Sequence, residues 1–210
     1  MRDSNVRLDP LGDKHMPSLC ILTAYNSRYE EIAAISQPSM RQFADIYGYE
    51  LAVIGRDDCV RRGGWIKIEP ILEVLAGDFE FVLWLDADTM FARIDVDVRT
   101  VAEPDADLYM SWHCPPSGGD LPHYNSGVML IRNSDWSRHF FEQVWKTGPL
   151  PHKWNDQAAI LQALGYNAVL GLGDDHNDNP NRRNVMQISE AWVTVHTPAP
   201  VRRPRGLWAA

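Results

Sequence analysis

Two aspartates separated by one residue, Asp86 and Asp88, close the run Phe81-Val82-Leu83-Trp84-Leu85. The run is continuously apolar and of strand length, so it reads as a buried strand. In an extended backbone, side chains two apart point the same way. Asp86 and Asp88 then converge on one point where the strand ends. Like charges that close repel each other unless a cation lies between them, and oxygen ligands suit a hard divalent ion. A bare Asp-x-Asp matches many chains, with one Asp capping a turn and the other solvated. Its position at the end of a strongly apolar strand is what favours a metal.

Three further groups carry chemistry. His196 follows Trp192–Val195, another strand-like run. A histidine there is either a structural residue or the third ligand beside Asp86 and Asp88. Mixed carboxylate and imidazole ligation suits Mn²⁺, with Mg²⁺ also accommodated. In Tyr124-Asn125-Ser126-Gly127-Val128, Gly127 admits close backbone approach as a strand begins. Asn125 and Ser126 either hydrogen-bond sugar hydroxyls there or form a plain Asx-turn. In Trp154-Asn155-Asp156-Gln157, Asp156 suits the positive end of a helix dipole, as a cap or as a ligand group. Lys67 is either a cation for an anionic ligand or a solvated helix lysine.

These residues need a scaffold that brings them together. Leu19–Leu22 reads as a strand entering the polar loop 23–27. A helical apolar pattern covers 29–48, with Pro38 expected to divide it. Leu51–Ile54, Phe79–Leu85, Asp107–Trp112, Gly127–Ile131, Ala168–Leu170 and Trp192–Val195 read as strands. Helices are expected over Trp65–Ala76, with Pro70 in the first turn, over Asp135–Trp145, capped by Asn133 or Ser134, and over Asp156–Leu164. Gly173–Asn184 reads as a mobile polar loop. Strands alternate with helices, which predicts one α/β domain with a mostly parallel central sheet and flanking helices. In such sheets ligands bind beyond the carboxyl ends of the strands.

Composition narrows the ligand. The chain has 210 residues and a formal net charge of −8, with no dense basic run except Arg202, Arg203 and Arg205. That argues against nucleic acid. An acidic chain can still hold a polyphosphate when a divalent cation screens the charges. The three cysteines, Cys20, Cys59 and Cys114, form no CxxC pair, so no zinc ribbon or disulfide framework is indicated and a reducing compartment is expected. No signal-peptide core and no bilayer-length apolar run is present, so the expectation is a soluble, cytoplasmic protein. Most of the eight tryptophans should pack in the core. Trp112, Trp154 and Trp192 are the possible sugar platforms.

Taken in order, the motifs resemble a GT-A glycosyltransferase. They begin with a first strand ending at Thr23, then Phe43-Ala44-Asp45-Ile46-Tyr47-Gly48-Tyr49, Trp65-Ile66-Lys67 and Asp86-Ala87-Asp88. Asn125-Ser126-Gly127 follows, running into Ile131-Arg132-Asn133-Ser134-Asp135-Trp136-Ser137, and Asp156-Gln157 and His196 complete the set. The resemblance covers about residues 18–197 and is strongest to family 34, the retaining galactosyl-, xylosyl- and mannosyltransferases. Retaining family 8 enzymes share the Asp-x-Asp, Asn-Ser-Gly and Asp-Gln elements. On this reading residues 1–17 are an extension, 18–197 the catalytic domain, and 198–210 a tail. One departure is clear: His196 is followed by Thr197-Pro198-Ala199-Pro200, where relatives have a glycine and a basic residue.

The resemblance implies a Rossmann-like GT-A fold and transfer of a hexose or pentose from a nucleotide diphosphate sugar, UDP-linked by family expectation, to a carbohydrate or other hydroxyl. It implies Mn²⁺ or Mg²⁺ on Asp86, Asp88 and His196. Thr23, Ala24 and Tyr25 would face base and ribose, with Lys67, Ala87, Asn125 and Ser126 also on the donor and Asp156 and Gln157 at the reacting sugar. Retention is implied, either through a carboxylate nucleophile, for which Asp156 is the candidate, or by a same-face route needing none. Loops 114–122 and 173–184 would border the acceptor. The rival classes are a non-catalytic sugar-binding module and a metal-dependent nucleotide-processing enzyme.

Overall fold

In the computed structural model of the chain, the described residues are 18–61, 63–113 and 121–188, with the backbone of Val195–His196. Residues 1–17, Cys114, most of loop 114–122, Trp192 and the tail arginines lie outside them, and so do the expectations attached to them.

Apolar runs form the strands β1 (Leu19–Tyr25), β2 (Glu50–Gly55), β3 (Phe81–Leu85), β4 (Thr89–Met90), β5 (Leu108–His113), β6 (His123–Arg132), β7 (Val185–Gln187) and β8 (Val195–His196). Among the described residues four α-helices accompany them: α1 (Glu30–Tyr47), α2 (Ile68–Leu75), α3 (Asp135–Thr147) and α4 (Asp156–Ala163). The main sheet has the order β2-β1-β3-β6-β5-β7, and β4 and β8 form a separate pair. Strand β1 runs parallel to β2 and β3, β7 runs parallel to β5, and β6 alone is reversed. The expected mostly parallel α/β sheet is therefore present, with one antiparallel strand inside it.

The period of two along each strand divides the core. Leu22, Val82, Trp84, Met129 and Ile131 face α2, α3 and α4, meeting Ile71, Phe141 and Ile160. Ile21, Leu83, Leu85 and Leu130 face α1, meeting Met40 and Phe43. Helix α3 starts on a capping box between Ser134 and Ser137, so Ser134 is the cap. Among the described residues no helix is long and apolar enough to cross a membrane.

Several local expectations need correction. Helix α1 runs undivided through Pro38. The proline and Ala34, whose carbonyl loses its N–H partner, are both exposed, so water can satisfy the lost bond. Residues Thr23–Tyr25 belong to β1, not to a loop. Ala168–Leu170 is a 3-10 turn, not a strand. Segment 173–184 is tied down: Arg182 donates to the Leu164 and Gly165 carbonyls, and Asn181 donates to Ala163 O. These bonds satisfy carbonyls left over where α4 ends. The segment then leads into β7, which no apolar pattern announced.

One irregularity prepares the site. Strand β5 pairs Met110 with Met129 and then Ser111 with Asn125. Ser126, Gly127 and Val128 are skipped on the β5 side, while Gly127 O accepts from Asp86 N at 2.8 Å on the β3 side. Such a bulge bends a strand and re-aims its side chains. It leaves Ser126 turned toward the ends of β3 and α4.

Candidate active site

At the centre of the site lies one buried ammonium. A 3-10 turn, Gly63–Lys67, leads into α2, and its last residue points inward, with the Lys67 side chain only 3% exposed. Its Nζ lies 3.0 Å from Asp86 Oδ1 and 3.0 Å from Asp156 Oδ2. It also donates to Ser126 O at 3.1 Å and Ser126 Oγ at 3.2 Å. An ammonium has three protons, and four protein acceptors already surround them. Burial alone would pull the Lys67 pKa down; the Asp156 and Asp86 carboxylates outweigh it and hold the pKa above the ordinary lysine value. The lysine is thus built into the wall as the counter-charge of two carboxylates.

Asp88 does not continue the extended strand Phe81–Leu85 but lies in a turn. Thr89 N donates to Asp86 O at 3.0 Å, closing a tight turn between β3 and β4. The period-two argument therefore fails at this position, yet both aspartates line the same cavity. Asp86 Oδ1 accepts from Trp84 Nε1 at 2.9 Å as well as from Lys67, which fixes that carboxylate and leaves Oδ2 for other partners. In the β4–β8 pair Thr89 stands opposite His196, so the His196 backbone comes within one residue of Asp88. Among the described side chains no group of three or more His, Cys, Asp or Glu is gathered for a metal. The expected set draws its third member from His196, described by backbone only.

Two cavities meet at this lysine. The first, about 220 Å³, is lined by Ala24, Tyr25, Asn26, Tyr29, Gly63, Ile66, Ala87 and Asp88. The second, about 290 Å³, is lined by His113, His123, Asn125, Ser126, Trp154, Asp156 and Gln157. Gly64, Lys67, Asp86 and Asn155 line both. Of the donor-side residues expected from the sequence, only Thr23 lines neither; it is buried in β1. Tyr25 lies over Gly55 of β2, where an added Cβ would come within 3.3 Å of the ring.

The start of α4 is held in a strained turn. Asn155 adopts φ 50° and ψ −115°, the one positive φ outside glycine among the described residues. Gln157 N donates back to Trp154 O at 3.0 Å. Strain of this kind gathers where surrounding structure over-determines a conformation. The turn directs Asp156 and Gln157 at the β6 bulge: Ser126 Oγ donates to Asp156 Oδ2 at 3.2 Å, and Ser126 N donates to Gln157 Oε1 at 3.0 Å. Asn125 is locked by its own turn, with Gly127 N donating to Asn125 Oδ1 at 2.7 Å.

The far wall of the second cavity is aromatic. His123 stacks on Trp154 with centroids 4.3 Å apart, and His113 lies 5.3 Å from His123. Trp112 instead packs edge-on against Tyr124 and Tyr166 and lines neither cavity. Sequence reasoning missed Asn26, Tyr29, Gly63, Gly64, His113, His123 and Asn155. Gly63-Gly64 was visible only as a loop, and His113 and His123 meet through the β5–β6 register.

Residues 56–185, more than half of the chain, match the family profile described as nucleotide-diphospho-sugar transferase. The chain belongs to that family. The match takes in the cavity-lining residues from Gly63 to Gln157. Curated relatives include probable glycosyltransferase 6 of Oryza sativa subsp. indica, 27% identical over 119 residues, 55% of this chain and 24% of the relative. Probable glycosyltransferase 7 of the same subspecies is 25% identical over 117 residues, 54% of this chain and 26% of the relative. The chain thus spans about a quarter of the length of these relatives. Among solved structures it is similar to a glycosyltransferase involved in glycosylation of the major capsid of PBCV-1. That likeness has a TM-score of 0.60 at 14% identity, over 82% of this chain and 81% of the other. The expected GT-A fold is borne out at the level of architecture.

Proposed function

We propose that the protein is a glycosyltransferase that moves a sugar from a nucleoside diphosphate sugar, UDP-linked, to an acceptor hydroxyl, with retention and with a divalent metal. The observation that carries this reading is the pair of cavities joined at Lys67, Asp86, Gly64 and Asn155. A nucleotide sugar has the same shape: a nucleoside, a charged diphosphate and a sugar ring. The first cavity suits the nucleoside, with the Tyr25 ring, backed by Gly55, as the stacking surface. The second is polar and aromatic, which suits a sugar. The diphosphate then falls at the junction, beside Asp86 and Asp88.

The residues at the junction fit a metal. Asp86 and Asp88 supply carboxylates to one cavity, and the strand register brings His196 to the same turn. Mn²⁺ or Mg²⁺ would be held by these three and, when bound, would neutralise charge on the departing diphosphate. Lys67 contributes differently, since its protons are committed to Asp86, Asp156 and Ser126. It preorganises the carboxylates. Asn125, Asp156 and Gln157 would hydrogen-bond the donor sugar.

Asp156 is 4% exposed, with Oδ2 paired to a cation and a hydroxyl. The ion pair and hydrogen bond on Oδ2 draw off part of the charge a nucleophile would use, which supports the same-face route over a covalent intermediate. The order of motifs supports a family 34 affiliation.

Thermal unfolding with UDP, GDP or no nucleotide, each with and without Mn²⁺, tests the reading. Ligand at a hundredfold excess over Kd adds about 2.7 kcal/mol, a rise of roughly 5–10 °C for a domain of this size. The expected result is a rise with UDP that requires Mn²⁺ and is lost in Asp88→Ala. No rise with any combination would remove the donor site.

A further inference from the structure

We propose that Gly64 is a positioning residue, whose missing side chain sets where the Asp156 carboxylate stands in the sugar compartment. The proposal rests on the reading of the second cavity as the sugar site. A Cβ built on Gly64 would stand 1.8 Å from Asp156 Oδ1 and 2.8 Å from its Cγ. Contacts under about 3 Å force something to move. Conformation is not the reason for a glycine here, because Gly64 is not among the residues with positive φ. Any L-residue could adopt its backbone angles; what is required is space.

The atom that would be struck has little room to give way. Asp156 Oδ2 is held by Lys67 Nζ at 3.0 Å and Ser126 Oγ at 3.2 Å. The bend that carries Gly64 is held as well. Arg61 packs against Trp145 and Trp65, 3.8 and 4.8 Å from their ring centroids, and donates to Trp145 O. Gly63, on the same bend, faces Asn155: an added Cβ there would lie 3.4 Å from its amide. The glycine bend and the Asn155–Asp156 turn are therefore fitted to each other. A side chain at 64 would expel Asp156 from Lys67 or lift the bend off the junction.

The test is a double-mutant cycle with two readouts. The first is the thermal midpoint of Gly64→Ala, Asp156→Ala and the double variant. Overpacking against a held carboxylate should lower the Gly64→Ala midpoint by about 3–10 °C. In the Asp156→Ala background, where nothing is left to strike, Gly64→Ala should cost almost nothing. An equal loss in both backgrounds, or none in either, overturns the proposal. If Gly64→Ala alone does not fold, the double variant decides: recovery to the Asp156→Ala midpoint supports the contact, and no recovery refutes it.

The second readout is affinity for UDP with Mn²⁺, compared with UDP-glucose, UDP-galactose and UDP-xylose under the same conditions. Gly64→Ala should weaken the best-bound UDP-sugar by about 10- to 100-fold more than it weakens UDP, as for loss of one charge-assisted hydrogen bond to the sugar. Equal weakening of both would make Gly64 a merely structural residue. Wild-type protein that binds neither would instead sink the donor-site reading, while the midpoints would still report on the contact.

Discussion

Lys67 Nζ and Asp156 Oδ2 stand 3.0 Å apart with both side chains almost entirely out of water. The same nitrogen reaches Asp86 Oδ1, at the cavity junction, at 3.0 Å. A single lysine from the start of α2 therefore fixes one carboxylate from the end of β3 and one from the start of α4. Removing one partner of a buried pair leaves an uncompensated charge and costs about 3–5 kcal/mol. Lys67→Met should lower the midpoint by roughly 6–20 °C, measured by thermal unfolding at neutral pH. The sign with pH follows from the raised Lys67 pKa. The stabilisation is complete below the unfolded value of about 10.4 and is lost only as pH rises through the higher folded value. The gap between wild type and Lys67→Met should thus not narrow as pH is raised from 7 to about 9.5.

Gln157 offers a narrower test. Its Oε1 accepts from Ser126 N at 3.0 Å, so its amide nitrogen is the end able to donate into the second cavity. Gln157→Glu keeps the acceptor for Ser126 but deletes the donor and adds a negative charge beside Asp156. Transfer should fall by about 10²–10³-fold, as for loss of one oriented donor at a developing charge. The Ser126 contact persists, so the thermal midpoint should stay within about 4 °C of wild type. A rate near wild type in a donor-saturated assay would remove Gln157 from the reacting sugar.

How much of this was legible in the sequence depends on the range of the interaction. Strands β1, β3 and β5, and helices α3 and α4, were visible because apolar period and capping are local signals. The Asp86–Asp88 pair was found for a reason that proved half right: both line one cavity, but Asp88 does so from a turn and not from extended backbone. The sequence leaves Lys67 as either a cation for the ligand or a solvated helix lysine, and its burial between two carboxylates cannot be read from Trp65-Ile66-Lys67. That geometry requires α2, the β6 bulge and α4 to be in place together. His113 and His123 were invisible for the same reason, since their contact depends on cross-strand register. Pro38 misled because propensity is local, whereas its outward-facing position on α1 is set by packing.

Away from the site, Asp97 should govern acid stability. It accepts from the Tyr49 hydroxyl and from Arg99 Nη2 at 2.6 Å, with its side chain 14% exposed. Burial would raise its pKa; the bonds from Arg99 and Tyr49 outweigh that and hold it below the ordinary carboxylate range. A depressed carboxylate stabilises above the unfolded value of about 3.9 and loses that stabilisation as pH falls through the folded value. Asp97→Asn should cost about 1.5–3 kcal/mol at pH 7, roughly 3–10 °C, and the gap should shrink below about pH 4. Asp97 lines neither cavity, so transfer rates at 25 °C should be unchanged. A gap as wide at pH 3 as at pH 7 would assign the loss to packing instead of charge.

The route of retention can be decided at Asp156. Both routes need the residue, so a loss of rate alone says little. Asp156→Asn breaks the charge pair with Lys67, and on the same-face route transfer should fall by about 10–100-fold and remain measurable. If Asp156 formed a covalent bond to the sugar, its neutral amide could not replace it, and transfer should nearly vanish. Azide separates the cases further. In Asp156→Ala a small anion can occupy the space of the lost carboxylate. A nucleophile mechanism would then yield a glycosyl azide of inverted configuration, with the rate rising as azide is added. The burial of Asp156 and its commitment to Lys67 and Ser126 predict no such product. Detection of that azide by mass spectrometry would establish Asp156 as the nucleophile.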